Sequence, residues 1–331
     1  MKALASINPG GPETLSLTDL PDPTPGAGEV VIRVRACGVN FPDTLIIEDK
    51  YQFRPLRPFA PGGEVSGEIE ALGEGVSGLA VGDRVMALTI YGGMSEKALA
   101  KAANCVKMPV GMSFEDGSAF LLTYGTAHYA LQDRAHLAAG ESILILGAAG
   151  GVGIATVQIA KAMGAHVVAG VSSAEKAKFT QSQGAERAVV YGQGPFDTAA
   201  TKALTEQFKQ AAGAKGFDVI YDIVGGAYAE PAIRSIAWDG RFLVVGFPAG
   251  IPKLPLNLVL LKSCNVIGVF LGAFAERDPA TTRTHFDALC DLYAKGKLKP
   301  VISERFPLAQ GGEAIRALSD RRALGKIIVT I

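Results

Sequence analysis

Chemistry in this sequence starts from its smallest residues. In the run Ser142-Ile143-Leu144-Ile145-Leu146-Gly147-Ala148-Ala149-Gly150-Gly151-Val152-Gly153, an apolar segment stops against a cluster of Gly and Ala, and a helical pattern begins at Val152. Such a turn converges backbone N–H groups and the positive end of a helix dipole on one spot, and residues without bulk let a pyrophosphate approach. Ala148, Gly150 and Gly153 fill the three small positions of the dinucleotide fingerprint, with Ala replacing the first Gly. The chemistry implied is hydride transfer from a bound nicotinamide. Gly-rich turns also occur with no ligand, so the surrounding elements have to decide.

About 20 residues beyond the glycines, an NAD-preferring site carries a carboxylate for the ribose diol. Here Gly170-Val171-Ser172-Ser173-Ala174-Glu175-Lys176 places Ser172 at that point. No negative charge there repels a 2′-phosphate, and Ser172, Ser173, Lys176 and Tyr191 can surround one, so NADPH is expected over NADH. A cation in a first helical turn opposes the dipole, which gives Lys176 a purpose only if it meets an anion. Glu175 beside it argues the other way.

The elements that position these residues alternate. Strands at Ile143–Leu146, His166–Val171, Arg187–Tyr191, Phe217–Val224 and Arg241–Phe247 are separated by helices at Ala174–Gln183, Thr198–Ala212 and Gly226–Ala237. Strands spaced by helices imply right-handed βαβ crossovers and a doubly wound parallel α/β sheet. Residues 119 to about 258 therefore read as one dinucleotide-binding domain. Residues 1–112 differ: short β-rich runs (Val30–Arg35, Gly63–Leu72, Asp83–Thr89, Met94–Val106) lie between Pro and Gly clusters, which predicts an antiparallel, partly barrel-like domain. A helix near 114–132 leads into the cofactor domain. A strand at Asn265–Leu271, a helix near 280–295, a strand at 300–306 and a helix at 309–319 follow. The terminal Gly325-Lys326-Ile327-Ile328-Val329-Thr330-Ile331 has strand character and is expected to return to the first domain.

Composition removes several classes. Lys plus Arg equals Asp plus Glu at 32 each, so no basic field exists for nucleic acid or an anionic membrane. The four Cys (37, 105, 264 and 290) form no CxxC, which fits reduced thiols in a cytoplasmic protein better than a disulfide framework or a zinc knuckle. No signal segment or membrane span is expected. All four His (128, 136, 166 and 285) lie beyond residue 127, leaving the β domain without imidazole ligands, and no metal is expected. Hydride chemistry without a metal has to stabilise the arriving charge by hydrogen bonds, which suits quinones and enones.

At this point several motifs taken in order carry a family resemblance. Gly38-Val39-Asn40-Phe41-Pro42-Asp43, Pro61-Gly62-Gly63-Glu64-Val65-Ser66-Gly67, Gly82-Asp83-Arg84-Val85, Ala148 to Gly153 and Gly325-Lys326-Ile327 resemble the medium-chain dehydrogenase/reductase superfamily, and within it the zinc-independent quinone oxidoreductase branch. Asn40, Gly63 and Leu122 stand where zinc-dependent relatives carry Cys, His and Cys. The resemblance implies a Rossmann cofactor domain (119–289) inserted into a GroES-like catalytic domain (1–118 plus 290–331). It places Asn40 beside the nicotinamide, Tyr51 in the substrate pocket and Thr126 facing the nicotinamide. Gly151, Val152, Ser173, Lys176 and Tyr191 match pyrophosphate and 2′-phosphate contacts, Arg321 or Arg322 an adenosine-phosphate contact, and Phe247 and Phe270 lie on loops bordering the nicotinamide.

The expected activity is hydride transfer from NADPH to a quinone or α,β-unsaturated carbonyl, with water or Tyr51 supplying the proton. An enoyl-thioester reductase is the rival within enzymes, and an NADPH-binding interaction protein with little turnover the rival outside them. Tyr293-x-x-x-Lys297 also matches a short-chain reductase pattern, but it falls after the sixth strand. The apolar run Asn265–Leu271, if it ends the sheet, needs cover, and a homodimer would give it.

Overall fold

The computed structural model describes residues 1–331 except 195, 321 and 322. It divides into two compact units, Met1–Thr123 with Phe286–Ile331, and Tyr124–His285. The first unit opens with the antiparallel pair β1 (Lys2–Ala5) and β2 (Ser16–Asp19). In β3 (Glu29–Gly38), Val30, Ile32, Val34 and Ala36 are buried while Arg33 and Arg35 point out, the alternation of a strand with one wet face. A short helix, α1 (Phe41–Ile46), follows Asn40, and then come β4 (Glu64–Leu72), β5 (Arg84–Leu88), β6 (Lys97–Lys101) and β7 (Cys105–Lys107). The expected continuous helix over 114–132 is divided into α2 (Phe114–Gly117), α3 (Leu121–Tyr129) and a π-helical turn at Ala130–Arg134.

The second unit is a six-stranded, all-parallel sheet. Its strands are β8 (Ser142–Leu146), β9 (His166–Val171), β10 (Arg187–Val190), β11 (Phe217–Asp222), β12 (Ile236–Val244) and β13 (Asn265–Gly268), in the order β10-β9-β8-β11-β12-β13. Order reverses between β8 and β11, which puts the switch point, and the crevice for a ligand, at the ends of those two strands. Residues 143–146 of β8 are completely buried, as a central parallel strand requires. The helices are α4 (Gly151–Ala162), α5 (Ala174–Ser182), α6 (Thr198–Ala212), α7 (Ala229–Ile233), α8 (Leu256–Lys262) and α9 (Leu271–Arg277). Several expected boundaries move, two of them for a clear reason. The helix expected to reach Ala237 stops at Ile233, because Ile236 is drawn into the ladder beside Phe217. The strand expected to reach Leu271 ends at Gly268, and Phe270 becomes the N-cap of α9.

After α10 (Pro279–Ala294), the chain adds β14 (Ile302–Pro307), α11 (Gly311–Ser319) and β15 (Lys326–Thr330) to the first unit. The last strand runs antiparallel to β3, inside the sheet order β14-β15-β3-β4-β5-β7. Ile327 and Val329 thereby join Leu4, Val34, Cys37 and Ile47 in one core. No helix among the described residues is long and apolar enough to cross a membrane.

Candidate functional site

In the second unit, the turn after β8 is built on Gly147 at φ +69, a conformation that favours glycine. Its carbonyl accepts the Gly150 N–H at 3.1 Å, and Gly150 then starts α4 with no side-chain cap. The first-turn N–H groups have no partner within the helix, and Gly150, Gly151 and Val152 are half-exposed. Ala148 and Gly153 are buried and do a different job. A Cβ on Gly153 would stand 2.4 Å from the Gly147 carbonyl oxygen, so this glycine lets the helix close on the strand end. A Cβ on Gly150 meets nothing nearer than 3.6 Å. The open positions thus face outward, where an anion is stabilised by the helix N-terminus.

The end of β9 brings Ser172, Ser173 and Lys176 together. Ser173 caps α5 by accepting the Lys176 N–H at 3.2 Å, and Lys176 Nζ donates to Ser172 Oγ at 3.2 Å. Tyr191 follows β10, against the glycine turn. It is 5 % exposed, and its hydroxyl accepts the Gly147 N–H at 3.0 Å. Asp222, at the end of β11, accepts the N–H groups of Val224 and Gly225, and burial pushes its carboxyl up to about 6. Phe247 and Phe270 are 47 % and 55 % exposed on the loops after β12 and β13, so neither is a core residue. Thr126 is half-buried on α3, whose Tyr124 hydroxyl donates to Gln158 of α4 at 2.8 Å. Arg321 and Arg322 lie outside the described residues.

In the first unit, Asn40 sits at the centre of a buried polar cluster that the sequence reading did not find. Its Oδ1 accepts from Lys326 Nζ at 2.6 Å, and its Nδ2 donates to Glu64 Oε2 at 3.0 Å and to the Gly38 carbonyl at 3.2 Å. Lys326 also donates to Glu64 Oε2 at 2.7 Å, and Glu64 Oε1 accepts the Leu122 N–H at 2.9 Å. Asp43 accepts the Asn40 and Gly62 N–H groups, one on each carboxylate oxygen. Its burial pushes the acid up to about 6, against the pull of those bonds and of Lys326. Tyr51 is half-buried against the same core, and burial together with Asp43 holds its phenol above the usual range. The sequence signal for this cluster is a Lys opening the otherwise apolar run Lys-Ile-Ile-Val, while Glu64 opens a strand that holds two further Glu and so does not stand out.

A metal does not fit this cluster. Asn40, Gly63 and Leu122 offer no thiolate or imidazole, and the ammonium of Lys326 already occupies the carboxylate of Glu64. Among the described residues, no group of three or more His, Cys, Asp or Glu is placed to hold a metal ion.

A parallel sheet with a glycine turn at its switch point, in a chain that also forms a discontinuous antiparallel unit, is the architecture of the medium-chain dehydrogenases/reductases. The alcohol dehydrogenase GroES-like domain family matches residues 26–110, and the zinc-binding dehydrogenase family matches residues 151–287. A quinone oxidoreductase-like protein 2 homolog of Nematostella vectensis is 34% identical over 307 residues, covering 92% of this chain and 82% of its own. Human quinone oxidoreductase is 33% identical over 334 residues, covering 100% and 98%. The crystal structure of Escherichia coli quinone oxidoreductase complexed with NADPH superposes with a TM-score of 0.91 at 27% identity, covering 100% of both chains. The chain belongs to the quinone oxidoreductase branch of that superfamily.

Proposed function

We propose that this protein is an NADPH-dependent, zinc-independent reductase that transfers hydride to a quinone or an α,β-unsaturated carbonyl. The observation that carries this reading is the pairing of the open glycine turn with the Ser172, Ser173 and Lys176 cluster at the end of the next strand. The residues present fit a phosphorylated dinucleotide: Gly150, Gly151 and Val152 would take the pyrophosphate, and Ser172, Ser173 and Lys176 the 2′-phosphate. When bound, the nicotinamide supplies the hydride. Asn40, Tyr51 and Thr126 orient the reacting groups, Phe247 and Phe270 shield them from water, and Tyr51 or a water delivers the proton.

The same reading makes the protein a cytoplasmic homodimer. Cys37 and Cys264 are buried thiols. β13 is the sheet's edge, and Leu256, Leu260 and Leu261 on α8 and Val266 on β13 are 42 to 79 % exposed, apolar surface that a second copy would cover.

The test is to follow NADPH oxidation with 1,4-benzoquinone, 9,10-phenanthrenequinone and crotonyl-CoA in parallel. Turnover with a quinone supports the reading, and preference for crotonyl-CoA moves it to a thioester reductase. Binding without turnover on any acceptor leaves an interaction protein, and absence of NADPH binding overturns all three.

A further inference from the structure

We propose that Asp222 is a positioning residue for Phe247: it folds the loop after β11 into a seat for the loop after β12, and so fixes the aromatic ring at the crevice end of the sheet. In the functional reading above, on which this rests, Phe247 shields the reacting groups from water. All the residues concerned belong to the second unit, Tyr124–His285. Asp222 ends β11 in register with Leu146, the residue before the glycine turn, and is 1 % exposed. Its Oδ1 accepts the N–H groups of Val224 at 2.9 Å and of Gly225 at 2.8 Å, side-chain bonds that bend the chain as it leaves the strand. Its own carbonyl accepts the Val245 N–H at 2.9 Å and the Gly246 N–H at 3.3 Å. One residue thus holds the starts of both loops.

The second loop needs that bend. Gly225 stands at φ 70 and ψ −149 and Gly226 at φ 55, backbones that favour glycine. They also leave no room for a side chain: a Cβ on Gly225 would lie 2.5 Å from Phe247 Cβ, and one on Gly226 2.4 Å from the Ala249 carbonyl oxygen. Across this bare surface the Gly226 N–H donates to the Gly250 carbonyl at 2.7 Å, and the Ala249 N–H to the Val224 carbonyl at 2.9 Å. The Gly250 N–H then closes the second loop on the Phe247 carbonyl at 2.9 Å. Phe247 is 47 % exposed, so the pairing of its loop, more than burial of its ring, sets its place. Both bonds between the loops depend on where Asp222 puts residues 224–226. Its two side-chain bonds end on one oxygen, so the turn needs an acceptor at that point and not a charge.

The experiment compares the unmodified protein with Asp222→Asn, Asp222→Leu, Gly226→Ala, Phe247→Ala and Asp222→Leu/Phe247→Ala. Amide hydrogen exchange of the ligand-free protein, NADPH titration and steady-state kinetics with 1,4-benzoquinone are measured on each. In Asp222→Leu the Val224, Gly225, Gly226 and Ala249 amides should exchange at least about tenfold faster. Its kcat should fall about tenfold while NADPH affinity falls less than about threefold, because the groups at Gly150–Val152 and Ser172–Lys176 are untouched. Asp222→Asn offers a carboxamide oxygen to the same two N–H groups and should restore both protection and kcat. Gly226→Ala drives a Cβ onto the Ala249 carbonyl from the other side, and should lower kcat with the Asp222 bonds kept, which decides the matter even if Asp222→Leu does not fold. In the Phe247→Ala background, the loss from Asp222→Leu should disappear. Full protection of Gly226 and Ala249 in Asp222→Leu, or an Asn variant as impaired as the Leu variant, would overturn the proposal, and so would additive losses in the double variant. A protein that reduces no acceptor counts against the functional reading instead, and the exchange rates still decide whether Asp222 holds the loop.

Discussion

The hydroxyl of Tyr191 accepts the backbone N–H of Gly147 at 3.0 Å, so the residue that follows β10 holds the first residue of the glycine turn. Tyr191→Phe should lower stability by about 1 kcal/mol, the net worth of such a bond. Because the turn serves either dinucleotide, NADPH and NADH should weaken by the same factor in titrations of the variant. A loss confined to NADPH would show that Tyr191 reaches the 2′-phosphate instead.

Lys176 should behave in the opposite way. Replacing it with Ala removes an ammonium held beside Ser172, and NADPH binding should fall by about 1.5–3 kcal/mol, the usual worth of a charged hydrogen bond, with NADH nearly unaffected. Calorimetry with both cofactors decides it, and equal weakening of the two would refute the role.

The two glycines of the turn separate packing from ligand approach. Gly153→Ala forces a Cβ against the Gly147 carbonyl at 2.4 Å, and should cost about 1–3 kcal/mol of stability in a denaturant titration. Gly150→Ala has ordinary backbone angles, φ −80 and ψ 171, and room for the methyl. It should leave the melting temperature nearly unchanged and weaken NADPH at least about tenfold, because the methyl stands where the phosphate would come. Unchanged affinity in Gly150→Ala would mean that the ligand lies elsewhere.

His128 gives an acid-side prediction. Its ring lies 4.7 Å from that of His285, and the Nδ1 atoms of both are buried without a hydrogen-bond partner. Burial, and then His285, lower His128 from 6.5 to about 4. The unfolded chain therefore takes up the proton first. Stability from this group is complete above about pH 6.5 and drains as the pH falls toward 4. With partial exposure screening the effect, His128→Phe should spare about 1–2 kcal/mol of the loss between pH 7 and pH 5. Denaturant titrations at both values check this, and identical acid sensitivity in the variant would remove His128 as the cause.

Short-range chemistry was readable from the sequence, and long-range pairing was not. The turn at 147–153 and the Ser172, Ser173 and Lys176 group are local, and their geometry follows from a strand end and two helix starts. The helix expected up to Ala237 was misjudged because Ile236 and Ala237 suit either element, and only pairing with Phe217 makes them a strand. Nothing in the spacing reveals that the Tyr191 hydroxyl turns back to Gly147. Lys326 and Glu64 lie 262 positions apart, beyond any periodicity, although a lone Lys in an apolar terminal strand asks for a buried anion.

The place of β15 inside the first unit's sheet has a consequence for synthesis. Residues 124–285 form a unit from one unbroken stretch and can pack once they have left the ribosome. Glu64 has to wait for Lys326, so the nascent chain carries this acid without its partner while the 262 positions that separate them are made. The buried cluster around Asn40 thus closes only after the whole second unit has been made.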